Sequence, residues 1–413
     1  MAANGTSFQF PITRLLIRSK KNFVDNQKMR SHEHYRNREQ TYVKHFFLEQ
    51  YLERVAYNVF SFSDEFVFVD GFSGPWRSEN EDFKDTSFVI ATEKLKKIRA
   101  DFLGRGRNVE IRCLFIEKSA AAYRDLENAV QSIDGIEIKT IHGEFENLVP
   151  EIVAFIDRSF SLVFIDPTGW SGYGLNRITP LLKLRGEVII NFMFDHINRF
   201  IEDPRPETAA TFDPLFGNAG WLVDYQTLVN TGLSRENAVL TLYRRCLKEA
   251  GAIPYVTSTR VKKPLHERSY FHLIYTTRHW KGLVEFRNVE RQAADEQEQV
   301  RNAARLAKRE EDTGTSDLFA AIEQKPNEIS RPFSEERAGN LNDSKNLIRE
   351  TLHGCLEIKY ESLLGIVLEI PLVWKTDVNE YLAELARQGT IEIQGLGPRE
   401  RTPKNGQLIR WTG

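Results

Sequence analysis

Cysteine is scarce in this chain: Cys113, Cys246 and Cys355 are far apart, odd in number, and the only three in 413 residues. That excludes a disulfide framework and predicts buried thiols in a reducing compartment. Cys113 falls in a strand-like run and Cys246 on an amphipathic stretch, so the cysteines do not predict a metal cluster. Long apolar runs are missing as well. None approaches the roughly 20 residues that a bilayer span needs, and the first residues hold no signal-peptide core. A helical membrane protein is thereby excluded, and a cytoplasmic location is the expectation. Charge of one sign is also absent. A formal net charge of −2 excludes a globally basic nucleic-acid coat and leaves local patches for any such contact. No internal repeat recurs.

What is present is ordinary for a packed protein, with 41% hydrophobic and 28% charged residues, enough for about two domains. Its most informative stretch is Phe66-Val67-Phe68-Val69-Asp70-Gly71-Phe72-Ser73-Gly74-Pro75, an apolar strand that runs into an acid and a glycine-bearing bend. Doubly wound α/β domains bring the backbone against a nucleotide-like ligand in this way. Glycine suits the bend because it accepts positive φ and close approach; a purely structural turn has the same pattern. Three more strand units follow. Ile111 to Ile116 ends in Glu117, Ile136 to Ile141 leads to Gly143-Glu144-Phe145, and Leu162 to Ile165 ends in Asp166-Pro167-Thr168-Gly169-Trp170. Between them, Ala122, Leu126 and Val130, then Leu148, Ile152 and Phe155, keep helical spacing. Carboxylates therefore gather at the carboxyl ends of expected parallel strands, where open α/β sheets bind ligands.

This ordered set resembles the motifs of S-adenosylmethionine-dependent methyltransferases. More narrowly, the chain resembles the three-Cys-motif partner proteins, a bacterial and archaeal family with a methyltransferase-like core, through Val69 to Pro75, Phe115-Ile116-Glu117, Phe164 to Gly169 and Val188-Ile189-Ile190-Asn191-Phe192. The likeness spans roughly residues 40 to 290, with more at the carboxyl end. It implies S-adenosylmethionine as cofactor, a three-Cys-motif protein as partner, and a donor site of Asp70, Gly71, Ser73, Gly74, Glu117 and Glu144. A carboxylate at Glu117 suits the two vicinal ribose hydroxyls; a solvated strand-end acid is the plainer reading. Asp70 can offset the sulfonium charge or hold its own turn. Glu144 sits where such enzymes contact adenine, or acts as an acid in a helical first turn.

On the acceptor side, Asp166, Pro167 and Trp170 are the catalytic candidates. Amino-methyltransferases acting on bases carry a similar Asn or Asp, two prolines and an aromatic that stacks on a flipped base. Asp166 and Pro167 match the start of that pattern, whereas Thr168 and Gly169 depart from it and Trp170 stands one place late, where it also suits a core anchor. Trp76 replaces the third glycine of many donor loops. Two functions therefore stay open: a methyltransferase acting on nucleic acid, and a noncatalytic methyltransferase-like binding or scaffold protein that supports a neighbouring enzyme.

The fold expected is α/β, a Rossmann-like methyltransferase-type doubly wound sheet with a C-terminal winged-helix domain. Its divisions are a basic arm over 1–38, the Rossmann domain over 39–310, a linker over 311–338 and the winged helix over 339–413. From Pro11 to His45 nine Lys or Arg face three acids, a charge excess able to track a phosphate backbone or simply to be solvated. His32-Glu33-His34 is weak evidence for a metal. Val43, Phe47, Tyr51, Val55 and Val59 predict a helix from Glu39 against the sheet edge, with Lys44 at a position where the family often has a lysine. A fifth strand over Glu187 to Phe194 should turn Asp195 to Phe200, including His196, toward the ligand crevice. Glu202 to Gly220 reads as an insertion over that edge, Asn237 to Glu249 as a helix, and Tyr255 to Thr259 with Tyr270 to Thr277 as a closing reversed pair. Lys281 to Glu310 reads as a solvated charged helix. In the C-terminal part, helices over Asp343 to Leu352, Tyr360 to Glu369 and Lys375 to Gln388 precede strands over Thr390 to Gln394 and Gln407 to Trp411. Arg399, Arg401 and Lys404 of the hairpin between them could touch phosphate, while Asp377, Glu380 and Glu384 argue against base reading by the third helix.

Overall fold

The computed structural model describes residues 35, 38–74, 85–313, 331–397, 400 and 402–413. Helix α1 (Glu39–Val59) leads into β1 (Glu65–Asp70), then α2 (Ser87–Gly104), β2 (Glu110–Glu117), α3 (Ala120–Val130), β3 (Glu137–His142), α4 (Val149–Ile156) and β4 (Phe160–Ile165). Next come α5 (Leu175–Leu182), β5 (Gly186–Phe192), α6 (Phe194–Phe200), α7 (Pro206–Ala210), α8 (Asp213–Phe216), α9 (Trp221–Asn230), α10 (Arg235–Gly251), β6 (Tyr255–Lys262) and β7 (Ser269–Thr277). The chain closes with α11 (Trp280–Thr313), α12 (Arg331–Cys355), β8 (Glu357–Lys359), α13 (Tyr360–Val367), α14 (Lys375–Arg387), β9 (Ile391–Ile393) and β10 (Leu408–Trp411).

Seven strands form one sheet in the order β3-β2-β1-β4-β5-β7-β6. β1 to β5 run parallel, and β7 lies antiparallel to both β5 and β6. The fold is therefore α/β and Rossmann-like. The two closing strands are antiparallel as expected: β7 runs against β5, and β6 runs against β7 and so regains the common direction. Strand periodicity divides the core between the two faces. Phe66 and Phe68 join α1, α2 and α11 on one face, whereas Val67 and Val69 join α4, α5 and α10 on the other.

Helix α1 lies across a face, not against an edge. It buries ten residues, including the expected stripe, and its Tyr51 hydroxyl reaches Glu187 of β5 and Tyr275 of β7. Helix α11 corrects a second expectation. Up to Arg301 it is packed, burying Leu283, Phe286 and Val289 together with Arg287, Glu290, Glu298 and Arg301, and only its last turns, Ala307 to Thr313, are exposed as expected. The charges bury in pairs, Arg287 with Glu290 and Arg301 with Glu298, each one helical turn apart.

The expected linker is helical wherever it is described: 311–313 end α11 and 331–338 begin α12, while 314–330 lie outside the described residues. The C-terminal unit adds β8 to the expected strands, giving a three-stranded antiparallel sheet ordered β8-β10-β9. Its apolar residues Leu364, Val367 and Val373 belong to the same core as Phe286. Glu369 also covers the edge strand β6, accepting from Val256 N–H at 3.0 Å and from Lys248 at 2.7 Å. Cys113 and Cys246 are buried as expected; Cys355 is exposed. Among the described residues, no helix is long and apolar enough to cross a membrane, and no group of three or more His, Cys, Asp or Glu could hold a metal ion. His32 and His34 lie outside them.

Candidate functional site

Chain order reverses between β1 and its neighbours: the chain builds β2 and β3 on one side and β4 and β5 on the other. The crevice above such a switch point is where open α/β sheets hold ligands. Asp70 stands at its centre, its Cα in register with Phe115 of β2 and Phe164 of β4. The bend beyond it remains bound to both neighbours. Gly71 N–H donates to Phe164 O at 2.9 Å and Ser73 N–H to Ile116 O at 2.8 Å, while Ser73 Oγ donates to Asp70 O at 2.9 Å.

Asp70 is fully buried, and each carboxylate oxygen has a donor: Phe72 N–H at 3.0 Å on Oδ1 and the Ser87 hydroxyl at 2.6 Å on Oδ2. Burial pushes its pKa up to about 6, against those two hydrogen bonds; the nearby Asp166 charge raises it further and Lys44 lowers it. Of the two sequence readings of Asp70, the turn-holding one is seen directly in its bond to Phe72 N–H. Ser87, at the first turn of α2, was not singled out from sequence; it lies 17 residues beyond its partner.

The reason for glycine at position 71 differs from the expected one. Gly71 does not occupy the left-handed region; a Cβ there would meet the Phe145 ring at 2.5 Å. The close approach is made by a core aromatic. Gly74 is half-buried, and Pro75 and Trp76 lie outside the described residues.

Glu117 ends β2 at 3% exposure, its Oε1 accepting from Ser119 N–H at 2.6 Å. Glu144 is exposed, stands at the N-cap of the short 3-10 turn Phe145–Asn147 and accepts from the Asn147 side-chain amide at 3.0 Å.

Asp166 follows β4 directly. Lys44 Nζ of α1 lies 2.5 Å from Oδ2, and Asn191 Nδ2 of β5 donates to Oδ1 at 2.6 Å. Lys44 and Asn191 appeared in the sequence only as family-like positions, and their shared target is what the fold adds. Pro167 is buried. Trp170 turns its ring into an aromatic cluster, stacked on Phe212 at 5.1 Å and tilted against Phe200 at 5.3 Å, which is the anchor reading. The insertion that supplies Phe212 carries two short helices and packs through Phe212, Leu215 and Phe216, all buried.

Other expected members lie elsewhere. β5 ends at Phe192, two residues early, and Phe194 opens α6. Asp195 then pairs with Arg199 at 2.6 Å and with Lys263 after β6 at 2.9 Å, instead of joining Asp70 and Asp166. Burial raises its pKa, but the two cations hold it below the usual range. Of the basic arm, the described Arg38 pairs with Asp85 at 2.8 Å; Arg14 to Arg36 lie outside the described residues. So do Arg399 and Arg401, and Lys404 is paired with Glu400. No protein-family model matches the chain, and no curated protein matches it.

Proposed function

We propose that this protein binds S-adenosylmethionine at the carboxyl edge of β1 and β2 and transfers its methyl group to nucleic acid, working beside a three-Cys-motif protein in the cytoplasm. The observation that carries this reading is the pair of buried carboxylates, Asp70 and Glu117, at the ends of two adjacent parallel strands beside the switch point. Glu117 would take the ribose hydroxyls. Asp70, its oxygens already bonded, would act on the sulfonium through its charge and would keep the bend in place. Methyl transfer needs little beyond in-line positioning of acceptor and donor, and the place of Asp166 directly after β4, on the other side of β1 from Glu117, supports an acceptor-side role. The reversed β7 supports the likeness to methyltransferase sheets. The C-terminal order helix, strand, helix, helix, strand, strand supports a winged helix, whose position over β6 and α11 suits a protein contact.

The test is a calorimetric titration with S-adenosylmethionine of the intact chain and of Glu117→Ala. Binding that weakens in the variant by about 1–3 kcal/mol, the worth of a lost charged hydrogen-bond site, is the expected result. A second reading, the noncatalytic scaffold, is favoured by the clamp of Lys44 and Asn191 on Asp166 and by the engaged Trp170 ring. A folded chain that takes up no donor would select it.

A further inference from the structure

Asp195 gathers more positive charge than it can balance. It is 1% exposed and pairs with Arg199 of its own helix at 2.6 Å, and with Lys263 at 2.9 Å and Arg268 at 3.8 Å from the two ends of the loop between β6 and β7. Among the described residues it is the one ion-pair partner of all three, so two positive charges are left over. The surplus faces water, since the side chains of Arg199 and Arg268 are 57% and 66% exposed. Nearby acids are engaged elsewhere: Glu202 by Arg235, Asp203 by Arg205, and Glu267 by Arg301 and Arg305. The fold does not require the third cation. Arg199 and Lys263 already offset the buried acid, and the Arg268 guanidinium donates no hydrogen bond to any described residue. The place of the cluster points to a use. β6 runs in the direction of β1, so the loop after it lies at the carboxyl edge of the sheet, and β5, whose Asn191 holds Asp166, leads straight into α6 and Asp195. The cations thus flank the crevice beyond Asp166, on the side away from Glu117.

We propose that Arg199, Lys263 and Arg268 form a phosphate-binding shelf that holds the backbone of a nucleic-acid strand along this flank of the crevice. The proposal deepens the function given above and rests on it for the class of partner. Guanidinium groups meet phosphate oxygens in a bidentate fork and give up their hydration readily, and phosphates on Arg199 and Arg268 supply the negative charge that one carboxylate lacks. Contacts of this kind set register and carry no base sequence. The shelf is therefore a positioning device, and the choice of base falls to the crevice beside it.

The experiment is fluorescence anisotropy with three labelled probes, a DNA duplex of mixed sequence, one of its single strands and the RNA of the same sequence, between about 50 and 200 mM salt. Wild type is compared with Arg199→Gln, Arg268→Gln, their double variant, and a control in which Lys183 and Arg185, exposed at the amino end of β5, both become Gln. For at least one probe the slope of log affinity against log salt should fall by about one in each single variant and about two in the double, with equal weakening for unrelated sequences. The control should match wild type. Arg268→Gln removes no hydrogen bond to a described residue, and Arg268→Lys should restore binding, so a fold defect in Arg199→Gln does not decide the outcome. Unchanged slopes, an equal loss in the control, or no salt-sensitive binding by wild type would overturn the proposal. Polyglutamate that displaces the probes as well as unlabelled DNA does would overturn it too, and would assign the shelf to an acidic protein. A parallel titration with S-adenosylmethionine keeps the two ideas apart. Donor uptake with nucleic-acid binding indifferent to the shelf defeats the shelf only, and shelf-dependent binding without donor uptake defeats the methyltransferase reading only.

Discussion

A methyl group built on Gly71 would stand 2.5 Å from Phe145 Cδ2 and 2.7 Å from Cε2. The ring is 3% exposed, so it has no solvent to retreat into. Gly71→Ala should therefore cost roughly 1–3 kcal/mol through overpacking, and Phe145→Ala about 3–5 kcal/mol through the cavity it leaves. In the double variant the new methyl group enters the space left by the ring. Urea unfolding should find the pair less destabilised than the sum of the singles by at least about 1 kcal/mol. Additive penalties would mean that the glycine serves some other contact.

Arg287 and Glu290 form a second test. Each is 1% exposed, and they pair at 2.6 Å on α11. Burial pushes both toward their neutral forms, and each holds the other charged. Arg287 Nε also donates to Leu368 O at 2.8 Å, and Glu290 Oε2 accepts from Leu372 N–H at 3.0 Å, so the pair fastens the C-terminal unit to the sheet domain. Glu290→Ala strands a buried guanidinium and should destabilise by about 3–5 kcal/mol. Amide exchange at Leu372 should accelerate with it. A loss below about 1 kcal/mol would place the docking energy elsewhere.

Helix α11 also marks the limit of what the sequence discloses. Its charge density suggests solvation, yet Arg287 and Glu290, and likewise Glu298 and Arg301, are opposite charges one turn apart on the face that carries Leu283, Phe286 and Val289. That pairing is the signal that hydropathy alone passes over. The strand ends were legible for a simpler reason: short apolar runs stop at Asp70, Glu117 and Asp166, and parallel pairing brings such stops to one edge. Ser87, Lys44 and Asn191 were not legible as partners of those acids. Each reaches its acid from another element, at a separation of 17, 122 and 25 residues, and no local pattern encodes such a meeting. Asp195 misled because β5 stops two residues early, which turns the acid into a helix and toward Lys263.

The lifted pKa of Asp70 has a consequence for stability. Burial raises it from 3.8 to about 6, so between about pH 4 and 6 the folded protein holds a proton that the unfolded chain has released. Stability falls across that window as pH rises, and above it the ionised carboxylate costs roughly 3 kcal/mol. Asp70→Asn stays neutral, can accept from Phe72 N–H, and can donate to the Ser87 hydroxyl. Denaturant midpoints should show the variant ahead of wild type near pH 7.5 and level with it near pH 4. A gap that does not change with pH would mean that burial of the charge is already compensated.

Glu187 gives the last prediction, and its sign is the same. This carboxylate is buried and receives three hydroxyls: Tyr51 at 2.7 Å on Oε2, and Tyr275 at 2.6 Å and Thr277 at 3.1 Å on Oε1. Burial raises its pKa while the hydroxyls lower it. Tyr51→Phe deletes the donor to Oε2 and should cost about 1–3 kcal/mol. It also removes one of the groups that favour the ionised form, so the folded-state pKa climbs further. A raised carboxyl loses stability as pH rises, hence the deficit of Tyr51→Phe relative to wild type should widen as pH rises above the ordinary carboxylate range. In a Glu187→Gln background nothing ionises at this position, and the same Tyr51→Phe change should then carry a penalty that is flat with pH. A deficit that widens equally in both backgrounds would trace the effect to some other titrating group.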